Sequence, residues 1–266
     1  ALTNTLNVGK VWDAMVDIVV EQCEQDGLEP MSINPVVGEC NDSRINQIQK
    51  RVVGADEVRQ AFASASEEFE EGDVGAGAGT ICYGLKGGIG SASRVIRIGE
   101  KEYTIGVLVQ SNFGATEDFV LNGESVGAKI LDWKQEKDDM AASEEDKGSI
   151  MSILATDLPL TSRQLRRILR RTGVGIARTG GYTGHGSGEV MIGFTTANRI
   201  PSGAEEELLQ IQAIPEHVIN RAFLAAAEAE QEAILNSMTA AERTRGQAGE
   251  LYYSLSEYLE DQDSKQ

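Results

Sequence analysis

A glycine–serine pair near the middle of the chain carries the most informative chemistry of this sequence. Gly148-Ser149 ends a charged, loop-like tract, and an apolar, strand-like run from Ile150 to Thr156 follows at once. If the Gly148–Ser149 bond is cut, Ser149 becomes a chain terminus with a nucleophilic hydroxyl and a free α-amine on one residue. An α-amine titrates at about 7.7–8.0, so near neutral pH it can act as the base for that hydroxyl. The alternative is an ordinary Gly-Ser turn before a strand.

The sequence contains few histidines and cysteines that could act in catalysis or bind a metal. There are only two histidines, His185 in a glycine-rich loop and His217 at a predicted helix start. A multi-histidine metal site is therefore excluded, and a Ser-His-Asp triad would have to use one of these two. The three cysteines, Cys23, Cys40 and Cys82, lack a C-x-x-C spacing, which favours buried small hydrophobes over a disulfide framework or a zinc site. We expect no metal and no cofactor.

Two glycine-rich stretches, Gly72–Thr80 and Lys86–Arg94, invite a nucleotide-binding interpretation that fails on spacing. A P-loop needs G-x-x-x-x-G-K-[ST], whereas Gly79 and Gly84 are followed by Leu85 before the lysine. No G-x-G-x-x-G pattern fits either. Dense glycine more simply indicates backbone that passes close to other backbone or to a ligand, so phosphate binding is disfavoured.

Composition bounds the class of protein. The chain has 266 residues, enough for one large or two small domains, and 41% of them are hydrophobic but only 5% aromatic. Aliphatic and alanine packing must therefore form the interior. Against 24 Lys+Arg stand 42 Asp+Glu, a net charge of −18, which repels phosphate backbones and anionic lipid. No apolar run approaches the ~20 residues of a transmembrane helix. We expect neither a nucleic-acid nor a membrane partner.

Sequence patterns predict the strands that must position Ser149. The run 150–156 predicts one strand, and Val95–Gly99 with Tyr103–Gln110 predict an antiparallel pair before it. A third strand is predicted from Phe119 to Leu131, and further strands are predicted over Val190–Ala197 and, interrupted by a proline, over Met31–Val37.

Helices are predicted over residues 9–26, after a cap at Thr161 or Ser162, and from Pro215 to about Met238. Thr239-Ala240-Ala241-Glu242 reads as a capping box for one more short helix. The helix after Thr161 carries a basic face, which we interpret as solvated or ion-paired surface, with a subunit contact as the next possibility. Helices flanking antiparallel strands, without a β-α-β period, indicate an α+β layered domain.

The segment 132–148 is rich in Asp, Glu and Lys and has no apolar period. It predicts an exposed, cleavable linker before Ser149. A solvated loop is the other interpretation, and the two are compatible because a processing site must be accessible.

Several segments together resemble one family, that of the L-aminopeptidase D-Ala-esterase/amidase and the β-peptidyl aminopeptidases. The segments lie in the family's order along nearly the whole chain. They are Gly38–Asp42, Lys86–Arg94, Val109–Gly114 and Gly148–Leu160, extended by Ser187–Glu189 and Phe194–Asn198.

The resemblance implies a self-processing hydrolase with an N-terminal serine nucleophile, and a four-layer αββα sandwich of the aminopeptidase and ornithine-acetyltransferase type. Residues 1–148 would be the α-chain portion and 149–266 the β-chain, both halves of one folded domain that stay associated after cleavage. The expected substrates are short peptides or amino-acid amides. We also expect a homo-oligomer and a soluble bacterial protein, cytoplasmic or periplasmic.

The resemblance further implies roles for single residues. Ser149 would be nucleophile and base, and Asn112 an oxyanion-hole donor, which is reasonable because losing such a donor typically costs ~2.7–4 kcal/mol of activation free energy. Ser187 and Glu189 would position the serine terminus and tune its amine. Glu39 would receive the substrate's ammonium group. Asn112 as a simple turn residue remains the alternative for that position.

The sequence departs from the family pattern in two places. Family members carry a further segment before the Thr3 region that we expect this chain to lack. Asn41 stands where some relatives have a tyrosine near the substrate pocket. Two other functions remain open: an uncleaved relative that binds a small molecule, and an acyltransferase that uses an amine instead of water. The sequence does not distinguish α-L, D and β-amino substrates.

Overall fold

The protein's secondary structure is known from a computed structural model that describes residues 1–137, 148–200 and 208–265. The helices in these residues are α1 Val8–Gln25, α2 Ala55–Ala63, α3 Gly127–Glu136, α4 Ser162–Leu169, α5 Thr172–Arg178, α6 Asn220–Thr239 and α7 Leu255–Ser264. The longer strands are β5 Ile89–Ile98, β6 Lys101–Asn112, β9 Ser149–Thr156 and β10 Gly188–Thr195. The short strands are β1 Leu2–Asn4, β2 Gly38–Cys40, β3 Ile81–Cys82, β4 Leu85–Lys86, β7 Val120–Leu121, β8 Glu124–Ser125, β11 Thr244–Arg245 and β12 Leu251–Tyr252.

A four-stranded mixed sheet in the order β10-β9-β6-β5 organises the fold. β5 and β6 form an antiparallel hairpin, and β6 continues antiparallel to β9 until Asn112 lies opposite Ser149. β10 runs parallel to β9, beginning with Gly188 beside Ser149. The end of β6 and the starts of β9 and β10 therefore meet at one end of the sheet.

Helix α6 covers one face of this sheet at very short range. Its alanines, among them Ala226, Ala229 and Ala233, are fully buried and allow the helix backbone to approach β5 and β6. A Cβ added at Gly90 of β5 would lie 2.0 Å from the carbonyl oxygen of Ala233. Only glycine fits there, which confirms that the glycines of Lys86–Arg94 serve close backbone approach.

The opposite face of the sheet is covered by the parallel pair β1–β2. A Cβ added at Gly38 would lie 2.5 Å from the methyl carbon of Met151, so β2 packs directly on β9. Helix α1 in turn packs against β1, with Val11, Ala14 and Ile18 buried. From one side to the other the chain thus places α6, the large sheet, β1–β2 and α1.

Several sequence predictions are confirmed. α1 spans Val8–Gln25 where a helix over 9–26 was predicted, and α4 is capped by the Thr161 hydroxyl, which accepts from the backbone N–H of Gln164. β9 covers the predicted strand 150–156. The basic face of α4 is ion-paired as one interpretation held, because Arg163 and Arg167 both contact Glu216.

Other predictions are wrong. Met31–Val37 is not a strand, because β2 begins only at Gly38, after Pro35. Phe119–Leu131 is not one strand: it contains a short hairpin of two-residue strands, β7 and β8, followed by the start of α3. Asn122 and Gly123 take φ of 52° and 85° at its turn, the left-handed pair that an Asn-Gly hairpin requires.

The predicted helix after Thr239 is also wrong. The Thr239 hydroxyl donates back to the carbonyl of Leu235 at 3.0 Å, so α6 simply ends there. The N–H of Glu242 donates to Asp73 instead of starting a helix. The next capping box along the chain precedes α7, where Ser254 and Glu257 each bond the other's backbone N–H.

The predicted linker 132–148 begins too early. Residues 132–136 are the second half of α3, and Trp133 is buried, with its ring centroid 5.0 Å from that of Tyr253 and 5.4 Å from that of Tyr258. Lys134 is buried as well and donates to the carbonyl of Gly84 at 2.9 Å. Two anchored side chains hold this turn of helix despite its charged neighbours. Residues 138–147 of the predicted linker lie outside the described residues.

Candidate active site

Ser149 is the first residue of β9 and is half-buried between two neighbouring strands. Asn112, the last residue of β6, is its direct partner across the antiparallel ladder. Directly opposed residues project to the same face with Cβ atoms ~4.5–5.5 Å apart. The structure therefore brings the predicted nucleophile and the predicted oxyanion donor together at the end of the sheet.

Gly148, the residue before the proposed nucleophile, is held by its neighbours on both sides. A Cβ at this position would lie 2.0 Å from the carbonyl oxygen of Asn112, so no side chain fits. On the other side the N–H of Gly188 donates to the carbonyl oxygen of Gly148 at 3.1 Å. That carbonyl belongs to the Gly148–Ser149 peptide bond, so the bond predicted to break already has a hydrogen-bond donor on its oxygen.

The side-chain amide of Asn112 has a defined orientation. Its Oδ1 accepts from the backbone N–H of Ile81 at 3.0 Å, and its Nδ2 donates to the carbonyl of Asn41 at 3.1 Å. A backbone N–H can only donate, so the atom facing Ile81 must be the oxygen and the NH2 group must face the other way. Nδ2 carries two hydrogens, and these bonds use one of them. The turn-residue alternative does not describe Asn112, which ends a strand and is buried.

Ser187 and Glu189 flank Gly188 and bond to each other. The Ser187 hydroxyl donates to Oε1 of Glu189 at 2.6 Å, and both side chains are half-buried. Gly188 of β10 pairs with Ser149 of β9. Ser187 and Glu189 are therefore the residues just before and just after the one that lies beside the nucleophile.

Glu39 and Asn41 lie on either side of Cys40, which contacts the nucleophile's own backbone. The Cys40 thiol donates to the carbonyl oxygen of Ser149 at 3.6 Å. Because side chains alternate along a strand, Glu39 faces away from β9, and its carboxylate accepts from the hydroxyl of Thr5. Asn41 reaches the site through its backbone carbonyl, while its side chain accepts from the N–H of Ser43. The described hydrogen bonds thus place Asn41 beside Asn112 but do not connect Glu39 to Ser149.

Cys40 and the two histidines are the other side chains that were considered as nucleophile or base. Burial raises the pKa of the Cys40 thiol to about 12, so it stays protonated near neutral pH. His185 and His217 are both exposed, and neither has a described hydrogen bond to Ser149. In the described parts of the chain, no group of three or more His, Cys, Asp and Glu could hold a metal ion. None of the helices in those parts is long and apolar enough to cross a membrane.

Two elements of the site escaped the sequence analysis. The N–H of Gly188 has no side-chain signal, and only strand register reveals it. Lys86 lies in one of the segments that resemble the family, but its spacing from the glycines only excluded a P-loop and indicated no other role. It is fully buried, and its ammonium donates to three backbone carbonyls.

The sequence profile of Peptidase family S58 matches residues 1–252. This chain belongs to peptidase family S58. The S58 chain is 36% identical over 254 residues to the β-peptidyl aminopeptidase BapA of Sphingosinicella xenopeptidilytica, covering 92% of this chain and 63% of that protein. It is 35% identical over 257 residues to the protein of the same name from Sphingosinicella microcystinivorans, covering 93% and 64%. It therefore spans less than two thirds of the length of these relatives.

Solved structures share the fold of the S58 chain. The PH0078 protein of Pyrococcus horikoshii OT3 matches with a TM-score of 0.86 at 44% identity, over 97% of this chain and 70% of that one. The L-aminopeptidase D-Ala-esterase/amidase of Ochrobactrum anthropi, described as a prototype of the serine aminopeptidases and a new variant of the Ntn-hydrolase fold, matches with a TM-score of 0.86 at 33% identity, over 98% and 71%. A Burkholderia sp. β-aminopeptidase gives the same figures. The S58 chain thus has this Ntn-hydrolase-variant fold, with mixed α and β elements.

Proposed function

We propose that this chain carries the reaction centre of a self-processing serine aminopeptidase or amidase. One observation carries the proposal: Ser149 begins a central strand, with Asn112 directly opposite and the Gly148 carbonyl bonded to the N–H of Gly188. Membership of peptidase family S58 supports it, as do relatives named β-peptidyl aminopeptidase and L-aminopeptidase D-Ala-esterase/amidase.

Processing would start with the peptide bond before Ser149. The Ser149 hydroxyl oxygen attacks the carbonyl carbon of Gly148, the C–N bond breaks, and the hydroxyl proton passes to the departing nitrogen. The product is an ester between Gly148 and the Ser149 side chain, together with a free α-amine. The N–H of Gly188 stabilises the oxyanion that develops on Gly148 during this step. Water then hydrolyses the ester and leaves two chains.

Turnover would reuse the same serine. The α-amine accepts the hydroxyl proton as the oxygen attacks the substrate carbonyl, and Asn112 donates its second Nδ2 hydrogen to the developing oxyanion. The resulting ammonium gives its proton to the leaving amine, and an acyl-enzyme forms on Ser149. Water, deprotonated by the same amine, releases the acyl group.

Ser187 and Glu189 are proposed to hold and tune the new terminus. Before cleavage Ser149 has no free amine, so its nitrogen cannot serve as the base. The short hydrogen bond from Ser187 to Glu189 supports a role in proton transfer at this stage, because it links a hydroxyl beside the nucleophile to a carboxylate.

The substrates are proposed to be short peptides and amides with a free amino terminus, carrying an α-L residue, a D-Ala residue or a β-amino acyl group. Glu39 is proposed to bind the substrate ammonium, since a carboxylate gives charge-assisted selectivity for it. We also propose that the two chains stay associated and that the fold is a four-layer αββα sandwich. The packing order of α6, the large sheet, β1–β2 and α1 supports the last point.

Denaturing mass spectrometry tests the proposal. The active protein should give two pieces, one ending at Gly148 and one starting at Ser149. Ser149→Ala should remove both cleavage and turnover, and Ser149→Cys should still cleave, because a thiol attacks in the same geometry. A single intact chain from an active preparation would contradict the mechanism. Transfer to added amines, measured beside hydrolysis, would indicate an acyltransferase.

A further inference from the structure

Lys86 is a buried cation bonded to backbone carbonyls. It is 0% exposed, and its ammonium donates to the carbonyls of Gly77 at 2.8 Å, Thr80 at 3.1 Å and Gly87 at 2.7 Å. Within the described residues it forms no ion pair with a carboxylate. The charge of Asp73 favours the ammonium form from a distance. A charge removed from water without a counter-ion in direct contact is still costly, so its place in the core calls for a function.

The Thr80 carbonyl that accepts from Lys86 leads directly to Asn112. It belongs to the same peptide unit as the N–H of Ile81, and that N–H donates to Oδ1 of Asn112 at 3.0 Å. Oδ1 in turn shares its amide group with Nδ2. The ammonium of Lys86 is thus connected through two amide groups, the Thr80–Ile81 peptide and the Asn112 side chain, to the second Nδ2 hydrogen of Asn112.

Hydrogen bonds arranged head to tail polarise one another. The positive charge of Lys86, hydrogen-bonded to the Thr80 oxygen, draws electrons from the Ile81 N–H and makes this N–H a stronger donor. A stronger bond at Oδ1 draws electrons from Nδ2 and makes its hydrogens more acidic. These effects are largest where the dielectric constant is low, and Lys86 and Asn112 are both buried.

We propose that Lys86 is a positioning residue that fixes and polarises the Asn112 amide, so that Nδ2 is a stronger donor to the oxyanion. The inference rests on the proposed role of Asn112 in turnover. Burial lowers the pKa of Lys86 to about 8, so the ammonium form still predominates at neutral pH. A second path supports the same end of β6: Lys86 also donates to Gly87, and the next N–H, that of Gly88, donates to the Ser111 hydroxyl at 3.2 Å.

The kinetic test compares substitutions that separate charge from volume. Lys86→Gln removes the charge, whereas Lys86→Arg keeps it with a larger change in shape. We expect Lys86→Gln to lower kcat about 10-fold with little change in KM, less than the roughly 10²–10³-fold that loss of an oxyanion donor costs. Lys86→Arg should retain more activity than Lys86→Gln. Equal losses, or a greater loss in the arginine variant, would reject the charge effect.

A double-mutant cycle asks whether Lys86 acts through Asn112. If it does, Lys86→Gln should add less than about 2-fold to the loss already caused by Asn112→Ala. Multiplying losses would show an independent, structural role and overturn the proposal. Lys134→Met is the matched control, because Lys134 is also buried and bonded to a backbone carbonyl but has no described path to Asn112. It should change thermal stability without the fall in kcat.

A spectroscopic measurement keeps the inference separate from the proposed function, since it needs no activity. In amide-resolved NMR of the full chain, the Ile81 N–H proton and the Asn112 Nδ2 protons should move upfield in Lys86→Gln and stay in place in Lys134→Met. Unchanged shifts in a folded Lys86→Gln chain would overturn the relay. If that variant does not fold, the unaltered chain decides: its Ile81 proton must lie downfield of those of Cys82 and Leu85 in the same hairpin, and a position among them contradicts the proposal.

Discussion

The backbone N–H of Gly188 donates to the carbonyl oxygen of Gly148 at 3.1 Å, so β10 holds the carbonyl of the peptide bond before Ser149. Gly148 also lies against the backbone of Asn112, which leaves no room for a Cβ at position 148. The position of the bond is therefore fixed by contacts on two strands, and small changes at Gly148 should be felt directly in processing.

Gly148→Ala is expected to slow chain cleavage by about 10²-fold or more, because the added Cβ must displace the scissile carbonyl from its donor. Gel and mass-spectrometric time courses of freshly made protein measure this rate. Gly106→Ala is the matched control: Gly106 lies in the same sheet, and the nearest atom to its added Cβ is 3.9 Å away. Normal cleavage in Gly148→Ala would show that the close contact with Asn112 does not position the bond.

Substrate polarity tests Glu39. Short amides with a free amino terminus should be hydrolysed and their N-acetylated counterparts should not. Glu39→Gln should raise KM for the free-amine substrates by about 10-fold, in keeping with the worth of a hydrogen bond to a charged group. Glu100→Gln, an exposed glutamate in the turn between β5 and β6, serves as the control. Equal rates on free and acetylated substrates would remove this role from Glu39 and indicate a general amidase.

The two histidines test the base. His185→Ala and His217→Ala should each leave the chain cleaved and most activity intact, because both side chains are exposed and the α-amine of Ser149 is the proposed base. The kcat/KM profile should rise with an apparent pKa near that of an α-amine, about 7.7–8.0, displaced by the groups around it. Loss of turnover in either variant, with cleavage and folding unaffected, would establish a serine–histidine pair instead.

Glu230 predicts a pH dependence of stability. It is fully buried on α6, packs on Gly175 of α5 and accepts from the Ser152 hydroxyl at 2.6 Å, and burial raises its pKa to about 8. The pKa of Glu230 is higher in the folded than in the unfolded chain. The contribution of its protonated carboxyl to the free energy of unfolding is therefore complete below about pH 4.5 and is lost as the pH rises through about 8.

Glu230→Gln keeps the shape and cannot ionise. The free energy of unfolding of this variant, measured by urea denaturation between pH 5 and 9, should therefore increase relative to that of the unaltered chain as the pH rises. The difference should be on the order of a few kcal/mol. Glu232→Gln on the same helix is the control, since Glu232 is exposed and pairs with Arg94. Parallel pH curves for Glu230→Gln and the unaltered chain would show that the buried carboxyl does not titrate in this range.

The sequence predicted the elements whose signals are local. The hydrophobic period of α1, the alternation in β5 and β6 and the Thr161 cap each depend on residues within one segment. Asn122-Gly123 was also a local signal, for a hairpin, but the apolar residues around it were interpreted as one long strand. At Thr239 the local pattern of a capping box was overridden, because α6 continues to that residue and the N–H of Glu242 finds Asp73.

Of the candidate site, only Ser149 could be named from its own chemistry and its place before a strand. Asn112, Ser187 and Glu189 were named through the family resemblance, and the register of β6, β9 and β10 accounts for their proximity to Ser149. The contribution of Gly188 lies in a backbone N–H, which every residue except proline has. The link from Lys86 to Asn112 runs through a peptide unit of β3, so no spacing along the sequence could reveal it.

The central place of β9 has a consequence for folding. Ser149 to Thr156 pairs along its full length with β6 on one side and β10 on the other, and α6 packs on β5 and β6. A cut before Ser149 therefore divides the hydrophobic core between two polypeptides. The uncut chain folds as a unimolecular reaction, whereas the cut form, once unfolded, must reassemble in a second-order step. If the proposed processing takes place, refolding of the two-chain form should depend on protein concentration, and slow unfolding rather than easy renaturation would maintain that form.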